Sequence, residues 1–262
     1  MFKKLLALTG CIFLLTACDS NDKNVLKVGT ISGPETEMME VAKQVAKDKY
    51  GLKVKIIEFT DYIQPNAALN DGSLDANMFQ HQPYLNEQVK DHQYKLIAIA
   101  KTFVFPMGIY SNKIKNIQDF PVGATFAIPN DPSNEGRALL LLQKAKLIQL
   151  KKSAGLFATP ADIESNPKQF TFKELDAAQL SRSLPDVDAA VINTNYAIPS
   201  GLSPTKDAIY HEESDSPYAN IIVIRTDSQN DPRMKQFVAA FQSKEVLNAA
   251  KKIFNDQAIP AW

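Results

Sequence analysis

The order of strand-like and helix-like segments near the start of the chain constrains the fold more than any other feature. A buried-looking apolar run at residues 25–30 precedes helical spacing of apolar residues over 35–50, and a second strand-like run covers 54–59. Gly51 stands where that helix would stop. A strand, a helix and a strand in this order predict two parallel strands joined by a right-handed crossover. The chain is therefore predicted to belong to the α/β class.

An interruption in the middle of the chain predicts two lobes. Residues 102–111 form a long apolar extended run that contains Pro106, and proline is unfavourable in a central strand. An apolar strand at residues 219–225 is predicted to return the chain from the second lobe to the first. We therefore expect two α/β lobes with a ligand cleft between them. Residues 25–106 and 216–262 would form lobe 1, and residues 107–215 would form lobe 2.

Hydrophobic spacing predicts further strands and helices along the chain. Strands are expected at residues 74–79, 94–101, 123–128, 170–175, 188–193 and 207–211. Helices are expected at residues 80–87, 114–120 and 178–184, with one or two more within 231–254. Another helix is expected to begin near Glu135 behind a cap at Ser133 or Asn134.

The amino-terminal residues resemble a targeting segment. Two lysines precede an apolar run at residues 5–15, and small residues then lead to Cys18. The run is too short to span a bilayer, so residues 1–17 are predicted to be a cleaved signal peptide. Leu-Thr-Ala-Cys resembles a bacterial lipobox, which implies that Cys18 carries acyl chains such as palmitate and that residues 18–24 form a tether. We expect a lipid-anchored membrane protein that faces the periplasm or the cell exterior.

Composition argues against several classes of protein. The chain carries 29 basic and 29 acidic side chains without a basic run, so no nucleic-acid partner is expected. Cys11 would leave with the signal peptide, so Cys18 would have no cysteine to pair with. The three histidines lack metal-ligand spacing and no nucleophile motif occurs, so we expect no metal, no cofactor and no enzyme activity. Glu212, Glu213 and Asp215 are interpreted as a solvated acidic loop.

Residues 61–85 place three aromatic rings and an imidazole close together in the chain. Phe79 and His81 lie at the end of a strand-like segment, with Tyr62 before it and Tyr84 after it. Ligands of open α/β sheets bind outside the carboxyl ends of strands, which favours a pocket here. The same pattern also fits core aromatic residues beside an ordinary surface histidine, because aromatic residues at such spacing are mostly buried.

Three polar residues are candidates for holding a charged ligand. Arg137 is expected in the first turn of a capped helix, where free N–H groups favour anions and a cation is unfavourable. Its guanidinium could grip a carboxylate through two hydrogen bonds. Asn193 ends a predicted strand and Asn220 starts another, and an asparagine amide can meet both an ammonium and a carboxylate. The sequence is equally compatible with Arg137 as a solvated surface residue and with Asn193 and Asn220 as turn or cap residues.

Several stretches resemble the methionine-binding lipoproteins of bacterial ABC uptake transporters, the NlpA family. They are LKVGT at 26–30, the segment at 61–85 with its LDANMFQHQPYL, KTFVFPMGIYS at 101–111, IPNDPSNEGRALLLLQKA at 128–145, DAAVINTNYA at 188–197 and SPYANIIVIR at 216–225. The resemblance implies a periplasmic binding protein fold of the two-lobe type (type 2), monomeric and closing on its ligand. By the same resemblance, a side-chain pocket is lined by Tyr62, Phe79, His81 and Tyr84. Arg137 would hold the ligand carboxylate, and Asn193 and Asn220 its amino and carboxylate groups.

The resulting hypothesis is a non-catalytic receptor that delivers L-methionine to an ABC transporter permease. The thioether of methionine is polarizable and packs well against aromatic rings. D-methionine, a methionine-containing dipeptide or another apolar amino acid could bind instead, because a hydrophobic pocket discriminates by only about 1–3 kcal/mol per methylene. Two hypotheses of a different class are an enzyme on the same frame with His81 as its base, and a lipoprotein that acts through protein contacts.

Overall fold

The computed structural model describes residues 25–213 and 216–262. The predicted signal peptide, Cys18 and the tether lie outside these residues, as does Asp215. The strands are β1 Val25–Ile31, β2 Lys53–Phe59, β3 Ala76–His81, β4 Leu96–Lys101, β5 Phe103–Val104, β6 Gly108–Tyr110, β7 Thr125–Pro129, β8 Gln149–Leu150, β9 Ile163–Ser165, β10 Thr171–Leu175, β11 Ala189–Ile192, β12 Tyr210–His211, β13 Asn220–Arg225 and β14 Ile259–Pro260. The α-helices are α1 Pro34–Tyr50, α2 Gln64–Asn70, α3 Gln82–His92, α4 Pro132–Lys144, α5 Leu180–Ser183, α6 Thr194–Ala197, α7 Pro232–Phe241 and α8 Lys244–Ile253.

The first lobe is built on a five-stranded sheet with the strand order β2-β1-β3-β13-β4. β1 pairs in parallel with β2 and with β3, which confirms the parallel pairing predicted from the start of the chain. β13 comes from much later in the sequence and runs antiparallel to β3 and β4. Its register places Asn220 opposite His81, so two candidate site residues far apart in sequence become neighbours.

The second lobe is built on another five-stranded sheet, with the strand order β10-β7-β11-β6-β12. β7 lies parallel to β10 and β11, and β6 runs antiparallel to β11 and β12. α4 begins after β7 and α6 begins after β11. Both helices therefore start at the carboxyl ends of parallel strands, where α/β sheets bind ligands.

Two segments connect the lobes. The first connection runs from β5 to β6 and contains Pro106, and the second connection runs from β12 to β13. β5 pairs with β14 outside both large sheets, which agrees with the expectation that proline disfavours a central strand here. The predicted lobe boundaries at residues 106–107 and 215–216 remain predictions.

Each sheet has its own hydrophobic core. In the first lobe α1, α7 and α8 pack together on the sheet, and Met38, Phe237, Phe241 and Phe254 are fully buried there. In the second lobe α4 packs on the sheet around Phe126. Burial of one such side chain stabilises the fold by about 1.5–3 kcal/mol. The cleft thus lies between two separately packed cores.

Two elements differ from the sequence prediction. The helix expected at residues 114–120 does not form, because the side chains of Ser111 and Asn116 accept backbone N–H groups in and beside this segment. Such local hydrogen bonds compete with helical ones. The strand expected at residues 207–211 is shortened to β12, because Asp207 closes a turn before it.

Candidate functional site

A cavity lies between the two lobes. Side chains from both lobes line it. All seven ligand-binding candidates line it, namely Tyr62, Phe79, His81, Tyr84, Arg137, Asn193 and Asn220. The remaining lining residues are Glu35, Gln80, Phe105, Asn134, Thr194 and Asn195, none of which the sequence analysis named as a ligand-binding candidate.

Three rings form what we call the aromatic wall, namely Tyr62, Phe79 and Tyr84. Phe79 comes from β3, Tyr84 from the first turn of α3, and Tyr62 from the loop before α2. Their ring centroids are 5.8–6.1 Å apart in tilted or edge-on pairs, a favourable geometry for aromatic side chains. The Tyr84 hydroxyl donates to the backbone oxygen of Tyr62 at 2.8 Å. The wall therefore offers a fixed, polarizable surface for an apolar group.

His81 links the aromatic wall to the second lobe. It is buried, so the interpretation as an ordinary surface histidine is wrong. Its Nδ1 accepts the backbone N–H of Tyr84 and caps α3, which leaves the proton on Nε2. Nε2 lies 3.3 Å from Asn134 Oδ1 and donates to it across the cleft. Burial, and next the charge of Arg137, lower the pKa of His81 to about 3, so the imidazole is neutral and a poor general base.

Arg137 lies on α4 with its guanidinium at the cavity. The helix is capped by Asp131, whose carboxylate accepts the N–H of Asn134, so the prediction of a cap at Ser133 or Asn134 is wrong. Pro132 lacks an N–H and suits the first helical position. Arg137 consequently lies in the second turn rather than the first. The conflict with the helix dipole that drew attention to Arg137 is weaker than predicted, because the dipole acts mainly within the first turn.

The Arg137 guanidinium is bound by a carboxylate of the protein itself. Its Nε donates to Glu212 Oε1 at 2.8 Å and its Nη2 donates to Glu212 Oε2 at 2.5 Å, a bidentate pair. Nη2 also donates to the backbone oxygen of Phe105. The Cζ atom of Arg137 lies 4.5 Å from the centroid of the Tyr218 ring, a cation–π contact. Burial by itself lowers the pKa of Arg137, but Glu212 outweighs burial and raises it. Nη1 makes no hydrogen bond to any described residue, which leaves it available to a ligand.

The interpretation of Glu212 as part of a solvated acidic loop is wrong. The residue is only 9% exposed. Its Oε2 accepts the N–H of Met107 at 3.0 Å, and its own N–H donates to the Met107 oxygen at 2.9 Å. Met107 lies on the first connection and Glu212 on the second, so Glu212 ties both connections to Arg137. Its neighbour Glu213 is exposed, as predicted.

Two asparagines of the second lobe present amide groups to the cavity. Asn193 Nδ2 donates to Asn134 Oδ1 at 2.9 Å, whereas Asn193 Oδ1 is buried without a partner among the described residues. Asn195 Oδ1 accepts the Tyr62 hydroxyl at 2.6 Å across the cleft, whereas Asn195 Nδ2 lacks a partner in the same part of the chain. Each amide is thus held at one atom and free at the other.

The first lobe adds a carboxyl group that the sequence analysis missed. Asn220 Nδ2 donates to Glu35 Oε1 at 3.1 Å and to the backbone oxygen of Phe79 at 3.2 Å. Glu35 Oε2 is buried without a partner among the described residues. An acid in the first turn of a helix is common because it complements the dipole, so its position in the sequence drew no attention.

These polar groups form what we call the polar end of the cavity, namely Glu35, Arg137, Asn193, Asn195 and Asn220. Leaving a buried donor or acceptor unsatisfied costs about 1–3 kcal/mol. Three such atoms lie in this cavity, and two of them are acceptors while the third is a donor. Together with the free Nη1 of Arg137, they suit a small ligand that carries a positive and a negative group.

No group of three or more histidine, cysteine, aspartate or glutamate side chains that could hold a metal ion occurs within residues 25–213 and 216–262. Within the described residues, no helix combines the length and the apolar composition needed to cross a bilayer.

Comparison with known proteins finds relatives along nearly the whole chain. A model of the NlpA lipoprotein family matches residues 26–262. The D-methionine-binding lipoprotein MetQ of Salmonella typhimurium is 51% identical over 259 residues, which cover 98% of this chain and 94% of the relative.

Solved structures agree with this family match. An ABC transporter periplasmic substrate-binding protein from Coxiella burnetii is 62% identical with a TM-score of 0.88, covering 90% of this chain and 100% of the other. A nutrient binding protein from Burkholderia cenocepacia bound to methionine is 54% identical with a TM-score of 0.89 and the same coverage of 90% and 100%. The predicted fold of a two-lobe periplasmic binding protein is thereby confirmed.

Proposed function

Because the chain belongs to the NlpA lipoprotein family, we propose that it is the substrate-binding lipoprotein of an ABC importer and binds L-methionine between its lobes. The observation that carries this proposal is the polar end, where buried donor and acceptor atoms without protein partners lie beside the aromatic wall. A free amino acid would satisfy these atoms with its ammonium and carboxylate groups. Its thioether would pack on the rings. The methionine in the structure of the Burkholderia cenocepacia relative supports this ligand.

Each candidate residue has a role in this proposal. Nη1 of Arg137 binds the ligand carboxylate, while Glu212 keeps the rest of the guanidinium in place. Asn193 and Asn220 bind the amino and carboxylate groups, and Asn195 offers one more donor. The side chain is enclosed by Tyr62, Phe79, His81 and Tyr84.

Ligand binding would favour contact between the lobes. The cleft is already bridged by the Tyr62 hydroxyl on Asn195 at 2.6 Å and the Tyr196 hydroxyl on the Thr60 oxygen at 3.3 Å. A ligand that touches both lobes stabilises the arrangement in which these bonds form, and a permease would recognise that arrangement. The protein would release its ligand unchanged, because it acts as a receptor and not as an enzyme.

The test is a calorimetric titration of the protein without residues 1–18, after unfolding and refolding to remove carried-over ligand. L-methionine is expected to bind and to raise the melting temperature, and mass spectrometry is expected to recover it unaltered. Leucine and a methionine-containing dipeptide form the comparison panel. Absence of heat with L-methionine, together with heat from another compound, would reject the proposed ligand.

D-methionine is the second candidate, because the Salmonella typhimurium relative is named for that enantiomer. The two enantiomers carry the same charged groups in mirror-image order around the α-carbon. Asparagines and an arginine held at fixed positions would distinguish them if the side chain stays on the aromatic wall. Parallel titrations decide, and tighter binding of the D-form would replace L-methionine in the proposal.

The proposed anchor is a lipid on Cys18, outside the described residues. We further propose a monomer with lobes divided at residues 106–107 and 215–216. Metabolic labelling with palmitate is expected to mark the full-length chain, and Cys18→Ser is expected to lose the label and leave the membrane fraction. Gel filtration of the chain without residues 1–18 checks the monomer, and a label retained by Cys18→Ser would disprove the anchor.

A further inference from the structure

Glu35 is the acidic residue among the described residues that line the cavity. It lies in the first turn of α1 and is 1% exposed. One carboxyl oxygen, Oε1, accepts the amide of Asn220 at 3.1 Å, and the other, Oε2, has no hydrogen-bond partner among the described residues. Buried carboxyl groups usually have a cation or several donors beside them, because burial without such partners is costly. A backbone hydrogen bond from Ile31 also stabilises this carboxylate, so what is missing, in the part of the chain that the structure describes, is a partner for Oε2 and a nearby cation.

The start of a helix does not explain a buried acid. Glu37 lies in the same turn of α1 and is exposed, so it complements the helix dipole while staying in water. Glu37 gains from the dipole without losing its hydration, whereas Glu35 loses its hydration. Burial raises the pKa of the Glu35 carboxyl well above its usual range, which reflects that loss. Its position suits a function at the cavity better than a purely structural one.

The other charges of the cavity are already matched. Arg137 forms a bidentate pair with Glu212, so its charge does not compensate Glu35. A second unpartnered acceptor, Asn193 Oδ1, also lines the cavity. An ammonium group has three donors and no acceptor, and two acceptors of which one can carry a negative charge match it.

We propose that Glu35 is the counter-ion of the ligand's ammonium group and that its Oε2 accepts a hydrogen bond from that group. This inference rests on the proposed function, because it assumes an amino acid in the cavity. An approaching cation favours the ionised carboxylate that burial disfavours. Glu35 thereby restricts the ligands to compounds with a free, protonated amine, and it discriminates against hydroxy acids and N-acylated amino acids.

The test compares L-methionine with its α-hydroxy acid analogue, in which a hydroxyl replaces the amino group. Both are titrated into the wild-type protein, Glu35→Gln and the matched control Glu37→Gln. Glu35→Gln is expected to weaken L-methionine binding about 10- to 100-fold, the range for one hydrogen bond to a charged group. The same variant is expected to leave the binding of the hydroxy acid within about twofold of wild type, because a neutral hydroxyl forms no ion pair with Glu35 and can still donate to the carbonyl oxygen of the glutamine. Glu37→Gln is expected to change neither.

Equal weakening of both ligands by Glu35→Gln, or no weakening of either, would overturn the role of Glu35 and leave the proposed function standing. If Glu35→Gln does not fold, Glu35→Asp keeps the charge and withdraws it by one methylene, with the same selective loss expected. The wild-type protein alone must also prefer L-methionine to the hydroxy acid at least about tenfold, and equal affinities would overturn the inference. Wild-type protein that binds neither compound would overturn the proposed function and this inference with it.

Discussion

The aromatic wall and the polar end of the cavity are built in different ways. The wall consists of three rings from a continuous stretch of the first lobe, and its packing is largely non-directional. The polar end draws residues from both lobes, and its charged members are held by specific partners such as Glu212 for Arg137 and Asn220 for Glu35. A polar atom that loses its partner keeps its desolvation cost, whereas a ring that shifts slightly keeps most of its contacts.

This difference implies a division of tasks. The polar end would recognise the groups that all free amino acids share, and a substitution there should cost a large amount of binding free energy. The aromatic wall would select the side chain, and a substitution there should cost less binding free energy. Changes at the polar end should therefore cost more affinity than comparable changes at the wall.

The largest expected effect follows from Arg137→Ala. Truncating one partner of a buried, hydrogen-bonded charge pair costs about 2–5 kcal/mol, so L-methionine binding should weaken by about 30-fold or more. Calorimetry measures this loss. Arg182→Ala is the matched control, because Arg182 is an exposed arginine of the same lobe. An Arg137→Ala protein with nearly normal affinity would remove Arg137 from the proposed site.

Glu212→Ala tests whether the ion pair supports the polar end. The change leaves the buried guanidinium without its carboxylate and is expected to lower the free energy of unfolding by about 3 kcal/mol or more. Glu213→Ala changes an exposed neighbour and serves as the control. In a double-mutant cycle with Arg137→Ala, denaturant unfolding should show a combined loss about 0.5–3 kcal/mol smaller than the sum. Simple additivity would mean that the two side chains do not stabilise one another.

His81 predicts a dependence of stability on pH. The unfolded chain takes up a proton at the ordinary histidine pKa of 6.5, while the folded protein does so only near 3. Between these values the unfolded state binds more protons, so the free energy of unfolding falls as the pH falls, by about 1.4 kcal/mol per unit. The loss of stability between roughly pH 6.5 and pH 5 should therefore be about 2 kcal/mol larger in wild type than in His81→Asn.

The His81→Asn variant retains an acceptor that can cap α3, so it separates protonation from loss of the cap. His92→Asn is the control, because His92 is an exposed histidine at the other end of the same helix. Denaturant titrations at several pH values measure the difference. Identical pH profiles for wild type and His81→Asn would show that the buried imidazole does not resist protonation.

The smallest effect is expected for Tyr62→Phe. The ring of the aromatic wall is kept, and only the hydroxyl that donates to Asn195 across the cleft is lost. One neutral hydrogen bond contributes about 0.5–1.5 kcal/mol, so ligand affinity should fall about twofold to tenfold. Tyr94→Phe, outside the cavity, is the control. A loss as large as that of Arg137→Ala would contradict the proposed division between the wall and the polar end.

Much of the fold could be predicted from local patterns. The spacing of apolar residues located β1, α1 and β2 to within one residue at each end, because alternating burial acts directly on neighbouring side chains. Pro106 marked the first connection for a similarly local reason. The cap of α4 was misplaced because Asp131, Ser133 and Asn134 all suit a cap, and only the backbone conformation selects among them.

The candidate site, like the fold, could be predicted only in part from the sequence. The seven ligand-binding candidates all line one cavity, whereas Glu35 was missed and Glu212 was wrongly interpreted as solvated. Both are acids in positions where an acid is ordinarily solvated. What distinguishes them is burial against residues about 75 and 185 positions away in the chain, and no local pattern encodes that proximity.

The amino-acid sequence by itself determined the alternation of strands and helices, the family, and the side chains available to a ligand. Only the tertiary structure decided which charges face each other, namely that Arg137 is matched by Glu212 and that Glu35 is left with an unpartnered oxygen. The physical reason is that secondary structure follows from interactions between near neighbours. The environment of a buried charge depends instead on whichever distant segments the fold brings against it.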